Sequence, residues 1–188
     1  MRLAAHFPHW PIAARSTDGV VYHIRPICAA DAERERAFIM ALSPESRFQR
    51  LMYTLREPSA EFIAHLVNVD QHRDMALVAV HGEGPDEKII GVARYSSDAI
   101  GSDAIGSDVS GRDCEFAVAV ADDWQCRGIG STLTRHLFDY AQREGFRSIY
   151  GTVLADNARM LELAQWMGLT LEPQVPGQST VRASRRLN

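Results

Sequence analysis

The segment from Cys114 to Ser131 constrains this chain more than any other. An apolar run, Phe116 to Val120, reads as a buried strand and ends in the acidic turn at Asp122 and Asp123. Gly128 and Gly130 then open a long amphipathic stretch. Glycines at that point let backbone approach a ligand closely, and the helix that follows presents unpaired N–H groups and its positive end to an anion. Glu115 stands at the start of the same strand. One segment therefore offers an anion cradle at one end and a candidate proton acceptor at the other.

A chain of 188 residues has room for one domain with a full core, and 46% hydrophobic with 23% charged residues is ordinary for a globular protein. The net charge of -4 argues against nucleic acid as the main partner. Three widely spaced cysteines, Cys28, Cys114 and Cys126, form no C-x-x-C pair, so neither a zinc site nor a disulfide framework is expected. Reduced thiols, no apolar run of membrane-spanning length, and a first segment broken by His6, Pro8, His9 and Pro11 together predict a cytoplasmic protein with no membrane partner. The seven histidines form no ligand-spaced set, and no metal is expected.

Residues 1–18 read as an extended arm and 19–188 as a single domain. Val20 to Ile27 alternates as a first strand. Asp31 is expected to cap a helix running through Leu42, with Phe38, Met40 and Leu42 among its apolar residues. Ser43 and Pro44 start a second helix whose buried face is expected at Phe48, Leu51 and Met52. Pro58-Ser59 begins a third, carrying Phe62, Ile63 and Leu66. Met75 to His81 and Lys88 to Tyr95 form a hairpin. Ser97 to Gly111 is a decaying five-residue repeat, too short and polar for a solenoid, and is expected to be a loop. Ile129 to Arg143 has strong helical spacing and stops at Gly145. A strand from Arg147 to Leu154, a helix from Asn157 to Met167 and an edge strand around Thr180 to Leu187 complete an α/β layered domain.

Three phosphate cradles compete for the glycine turn. A Walker loop needs G-x-x-x-x-G-K-[ST], which is absent. A dinucleotide fingerprint needs a third glycine where Leu133 stands, early in the chain. The third, Q-x-x-G-x-G, is matched by Gln125, Gly128 and Gly130, with a strand before it and, after it, a helix, a strand and a helix begun by Asn157. In this the sequence resembles the GNAT acetyltransferase superfamily, from about Val20 to Leu171. Within it the likeness is to the catalytic domain of Pat-type bacterial protein lysine acetyltransferases. Their pattern is echoed by Ile24-Arg25-Pro26-Ile27, Leu42-Ser43-Pro44-Glu45-Ser46-Arg47, Met75-Ala76-Leu77-Val78-Ala79 and Glu115-Phe116-Ala117-Val118.

The resemblance implies a GNAT fold, a mixed and mostly antiparallel central sheet flanked by helices. It implies acetyl-CoA as acyl donor and a primary amine, on a protein lysine or a small molecule, as acceptor; a non-catalytic acyl-CoA-binding module is the rival reading. It places the backbone of Val118 and Val120 on the pantetheine arm, and Gln125, Cys126, Arg127, Gly128, Ile129, Gly130 and Ser131 around the pyrophosphate. Asn157 serves either as helix cap or as a contact to the cofactor arm. Glu115 falls at the position of the catalytic base. Holding a lysine amine neutral at pH 7 costs about 4.6 kcal/mol, and a carboxylate that takes the proton offsets much of it. Many superfamily members place a tyrosine, as acid to the leaving thiolate, where this chain has Ala164; a thiol with pKa near 8.5 departs without one. Tyr140, Tyr150 and Trp166 are expected to pack. Arg182, Arg185 and Arg186 read as a solvated basic edge, or as contacts to the adenosine 3′-phosphate or an acidic protein. The sequence leaves oligomeric state open, with a homodimer among the options.

Overall fold

The computed structural model describes residues 10–97, 113–173, 175 and 177–187. The repeat from Ser97 to Gly111 therefore lies, apart from Ser97, outside the described residues, as does the start of the arm. Among the described residues eight strands form one sheet: β1 (Ile12–Arg15), β2 (Val21–Pro26), β3 (Asp74–His81), β4 (Lys88–Ser96), β5 (Asp113–Val120), β6 (Ser148–Leu154), β7 (Thr170–Leu171) and β8 (Thr180–Arg186). Their spatial order is β1-β2-β3-β4-β5-β6-β8-β7, and every neighbouring pair is antiparallel except β5 with β6. The helices are α1 (Ala32–Ala41), α2 (Pro44–Leu51), α3 (Ala60–Val67), α4 (Ile129–Arg143) and α5 (Ala158–Trp166).

Both faces of the sheet are buried, which is why β3 reads as an unbroken apolar run rather than as an alternation. Met75, Leu77 and Ala79 point into a core with Leu133, Leu137 and Phe138 of α4. Ala76, Val78 and Val80 point into a second core with Phe38 and Ile39 of α1 and Ile63 and Leu66 of α3. Ser43 and Ser59 cap α2 and α3, each accepting a hydrogen bond at 3.1 Å, from the Ser46 and Phe62 N–H respectively.

Four local expectations change. The arm contributes a short strand, since Ile12–Arg15 pairs with Val21–Ile24. The last strand is internal: β8 lies between β6 and β7, because the chain from α5 returns along its outer side and the two-residue β7 takes the edge. Phe48 and Met52 are exposed at 42% and 37%, because α2 spans the open side of a groove instead of lying flat on the sheet.

Asp31 stands at the start of α1 without capping it. Its carboxylate is fully buried and takes two 2.7 Å hydrogen bonds from Arg25 and a 3.0 Å bond from the Cys28 N–H. Burial alone would push its pKa up, but these donors outweigh it and hold Asp31 below its ordinary value. A depressed carboxylate contributes stability that is present above its unfolded pKa and lost as pH falls through its folded one. Asp31→Asn is therefore expected to lower the melting temperature at pH 7 and to lose less stability than the parent on acidification below the ordinary carboxylate range, as read by thermal melts against pH.

Candidate functional site

β5 and β6 pair over three residues, Asp113–Glu115 against Ser148–Tyr150, and then part. From Phe116 onward β5 stays on β4, and from Gly151 onward β6 stays on β8. A wedge opens inside the sheet, leaving backbone N–H and C=O groups along Phe116–Val120 for something other than β6 to satisfy. The groove encloses about 890 Å³. Its walls are Phe116–Val120, Gly151–Leu154, α2 on one side, and Asn157 to Leu163 on the other, with Gly128, Gly130 and Ser131 at its far end. The vertex depends on Gly151, where a Cβ would stand 2.8 Å from the Phe116 ring and 3.2 Å from its carbonyl oxygen.

The glycine turn owes its shape to two left-handed residues, Cys126 at φ 59° and Gly128 at φ 81°. The arm braces it from outside: the Thr17 N–H donates to the Arg127 carbonyl at 3.0 Å, and Arg127 donates to Asp18 at 2.9 Å. That places the Arg127 side chain away from the groove lining and over Trp124. Gln125 is tied on both sides, donating to Ser46 of α2 and to the Val120 carbonyl, each at 3.2 Å, while accepting from Arg159 of α5 at 2.7 Å. The Ile129 side chain is core, 1% exposed. Cys126, Gly128, Gly130, Ser131, Val118 and Val120 all line the groove. So does Asn157, whose Oδ1 accepts from the Met160 N–H at 3.1 Å and caps α5.

Glu115 sits at the vertex, one residue before the wedge begins. Its neighbours Cys114 and Phe116 face the α4 core, so it points to the α2 side. Thr152, a groove residue, donates to Glu115 Oε1 at 3.0 Å. Burial pushes the Glu115 pKa above its ordinary value; the Thr152 bond and the charges of Arg182 and Arg50 oppose this without cancelling it. Arg182 is 38% exposed, lies over the Tyr150 ring at 3.7 Å and stands 3.6 Å from Glu172, so the basic tail is solvated as well as locally paired. Arg185 donates to the Met167 carbonyl at 2.8 Å, so two of the three tail arginines are engaged locally.

Tyr140 is buried and donates to the Gln71 carbonyl at 2.6 Å, and Tyr150 is buried beneath Arg182, as expected of packing residues. Trp166 is not one of them. It is 64% exposed, lines the groove, and carries Arg135 at 5.7 Å from its ring. Thr152 and Arg50 escaped sequence reading because nothing local marks them, and Arg182 was read there without its place beside Glu115. An alternation count on β6 alone could have pointed Thr152 toward the Glu115 face. Among the described residues, no group of three or more His, Cys, Asp or Glu side chains is placed to hold a metal ion. No helix among them is long and apolar enough to cross a membrane.

A sheet wedged open beside a glycine turn at a helix N-terminus is what the sequence resemblance implied. A family model described as "Acetyltransferase (GNAT) family" matches residues 36–169. This chain belongs to the GNAT acetyltransferase family. Acetyltransferase PA5475 of Pseudomonas aeruginosa is 35% identical over 160 residues, covering 85% of this chain and 80% of that protein. Acetyltransferase Pat of Mycolicibacterium smegmatis is 30% identical over 168 residues, which are 89% of this chain but 46% of Pat. The crystal structure of the GNAT domain of S. lividans PAT superposes with a TM-score of 0.83 at 27% identity, covering 95% of this chain and 98% of that one.

As a GNAT acetyltransferase the chain uses acetyl-CoA, and its groove has the features such a donor needs. The β5 backbone edge is open, and a Cβ at Gly128 or Gly130 would meet nothing nearer than 3.5 Å, so both glycines leave room at the turn. Gly128→Ala forces an L side chain into the left-handed region, at a cost of roughly 1–2 kcal/mol. Because Gly128 stands at φ 81° in the folded chain, that strain destabilises the fold, and a lower urea midpoint with an unchanged slope is expected.

Proposed function

We propose that this acetyltransferase moves the acetyl group to a primary amine, with a protein lysine as the preferred acceptor, by direct attack on the thioester. Glu115 acts as general base, taking the ammonium proton directly or through one water. The bound donor supplies an activated acyl carbon and a thiolate leaving group; everything else is the protein's task. The β5 edge at Val118 and Val120 orients the pantetheine arm by backbone hydrogen bonds. The N–H groups from Gln125 to Ser131 hold the pyrophosphate, with Gly128 and Gly130 allowing their approach. Asn157 keeps α5 in register by its cap, and so shapes the opposite wall.

The observation that carries this reading is a half-buried carboxylate with a raised pKa at the vertex where the sheet opens. Such a group binds a proton more readily than a solvated glutamate, and it stands where the acyl end of a molecule lying in the wedge, with its phosphates at the glycine turn, would arrive. What supports a protein lysine over a small amine is the likeness to two Pat proteins together with the open α2 flank, where Met52 lines the groove and Phe48 is exposed on the same helix.

Incubation with labelled acetyl-CoA and a soluble bacterial lysate tests the acceptor. Label is expected on protein lysines located by mass spectrometry. Label confined to small molecules would overturn the protein acceptor and leave amine transfer standing; acetyl-CoA binding without any transfer would overturn both.

A further inference from the structure

Two cations line the groove, Arg50 from α2 and Arg159 from α5. Arg159 is committed to Gln125. Arg50, half-buried, makes no hydrogen bond or ion pair among the described residues. Its guanidinium is left free to bond a ligand in the groove, and partial burial lowers its pKa to about 10. The carboxylates in electrostatic reach make no hydrogen bond to it: Glu35, across a small cavity that both residues line, lies 3.7 Å from Arg94, and Glu115 accepts from Thr152. Two further acids on that side are held too, Asp122 by Ser43 and Ser46, and Glu45 by Gln49. On the groove side, the hydrogen-bonding partner open to Arg50 is an anion that arrives with a ligand.

The donor's phosphates do not fit that role. On the reading proposed above they sit at the glycine turn, after the C-terminal end of β5, whereas Arg50 acts on Glu115 near the strand's start. The acceptor remains. We propose that Arg50 is a specificity residue for acceptors that carry a carboxylate close to the reacting amine. A planar guanidinium holds a carboxylate through two parallel hydrogen bonds, which fixes orientation as well as charge. In a protein the source of that carboxylate is an aspartate or glutamate flanking the target lysine; in a small molecule it is the carboxylate of an amino acid. The proposal rests on amine transfer at Glu115, and it has its own readout.

Two acceptor sets test it with the wild type, Arg50→Gln and Arg50→Lys. The first is a pool of blocked pentapeptides with a central lysine flanked by alanine, glutamine or glutamate; the second is L-lysine against 1,5-diaminopentane. Wild type is expected to favour the carboxylate-bearing member by about tenfold in kcat/KM, the size of one charge-assisted contact. The ratio should fall to near one in Arg50→Gln and survive in part in Arg50→Lys. Preference in the peptide pool identifies a flanking acid, and preference in the second set alone identifies an amino acid. Equal rates in wild type, or a preference that persists in Arg50→Gln, overturn the proposal. Calorimetry of the same pairs on CoA-saturated protein separates the two readings. An affinity ratio for the carboxylate-bearing member of either set that is abolished in Arg50→Gln upholds the Arg50 contact even if no acetyl transfer occurs, and equal affinities in both sets overturn it.

Discussion

Glu115→Gln is expected to lower kcat/KM for the amine acceptor by about 10²–10⁴-fold while acetyl-CoA affinity stays at the parent value. Glutamine keeps the volume and can still accept from Thr152, which bonds the carboxylate at 3.0 Å, so the vertex should hold its shape. What disappears is the proton acceptor, leaving the amine to lose its proton to bulk water. The parent's pH–rate profile should show an acid limb set by Glu115. Because burial raises its pKa, that limb lies above the range of a solvated carboxylate, and activity is lost as pH falls through it. Stability runs the other way. A carboxylate with a raised folded pKa contributes stability fully present below its unfolded pKa and lost as pH rises through the folded one. Glu115→Gln should therefore melt at or above the parent temperature at pH 7. Unchanged turnover in the variant would remove Glu115 from the chemistry, and that would favour a base elsewhere or an acyl-CoA-binding role without catalysis.

The largest effect on stability is expected from Arg94. It is 7% exposed, lies 3.7 Å from the 3%-exposed Glu35 of α1, and donates to the Leu66 carbonyl in α3 at 3.2 Å. One β4 side chain thus ties two helices to the sheet. Arg94→Met leaves Glu35 buried without its counter-charge, and breaking a buried pair from one side costs about 3–5 kcal/mol. Burial already pushes the Glu35 pKa up, and removing the Arg94 charge that opposes this should raise it further. Urea unfolding at pH 7 should show a clearly lower midpoint with an unchanged slope. The double variant Glu35→Leu/Arg94→Met should recover much of the loss, because two apolar groups of similar volume need no pairing. If the single variant costs less than about 1 kcal/mol, the pair is not a structural tie and Glu35 is already neutral in the parent.

Legibility in the sequence followed the range of the forces involved. The α4 boundaries, the Ser43 cap, the helix starts at Ser59 and Asn157 and the β3–β4 hairpin were readable because each depends on residues a few positions apart. The direction in which Asp31 satisfies itself was not. A carboxylate at a helix start has two sets of donors to choose from, and Arg25 outcompetes the helix N–H groups. Nor was the exposure of Phe48 and Met52, since a helix carries an apolar stripe whether it covers a core or flanks a groove.

The sequence by itself determined the glycine turn, the strand that leads to it and the acid at that strand's start. These are one contiguous segment whose geometry follows from left-handed backbone at Gly128 and alternation along β5. The tertiary structure alone decided what surrounds Glu115. Thr152 arrives from 37 positions away on a neighbouring strand, and Arg50 and Arg182 come from opposite ends of the chain. A side chain's charge state and reach depend on burial and on partners brought together by packing, and no local pattern encodes those.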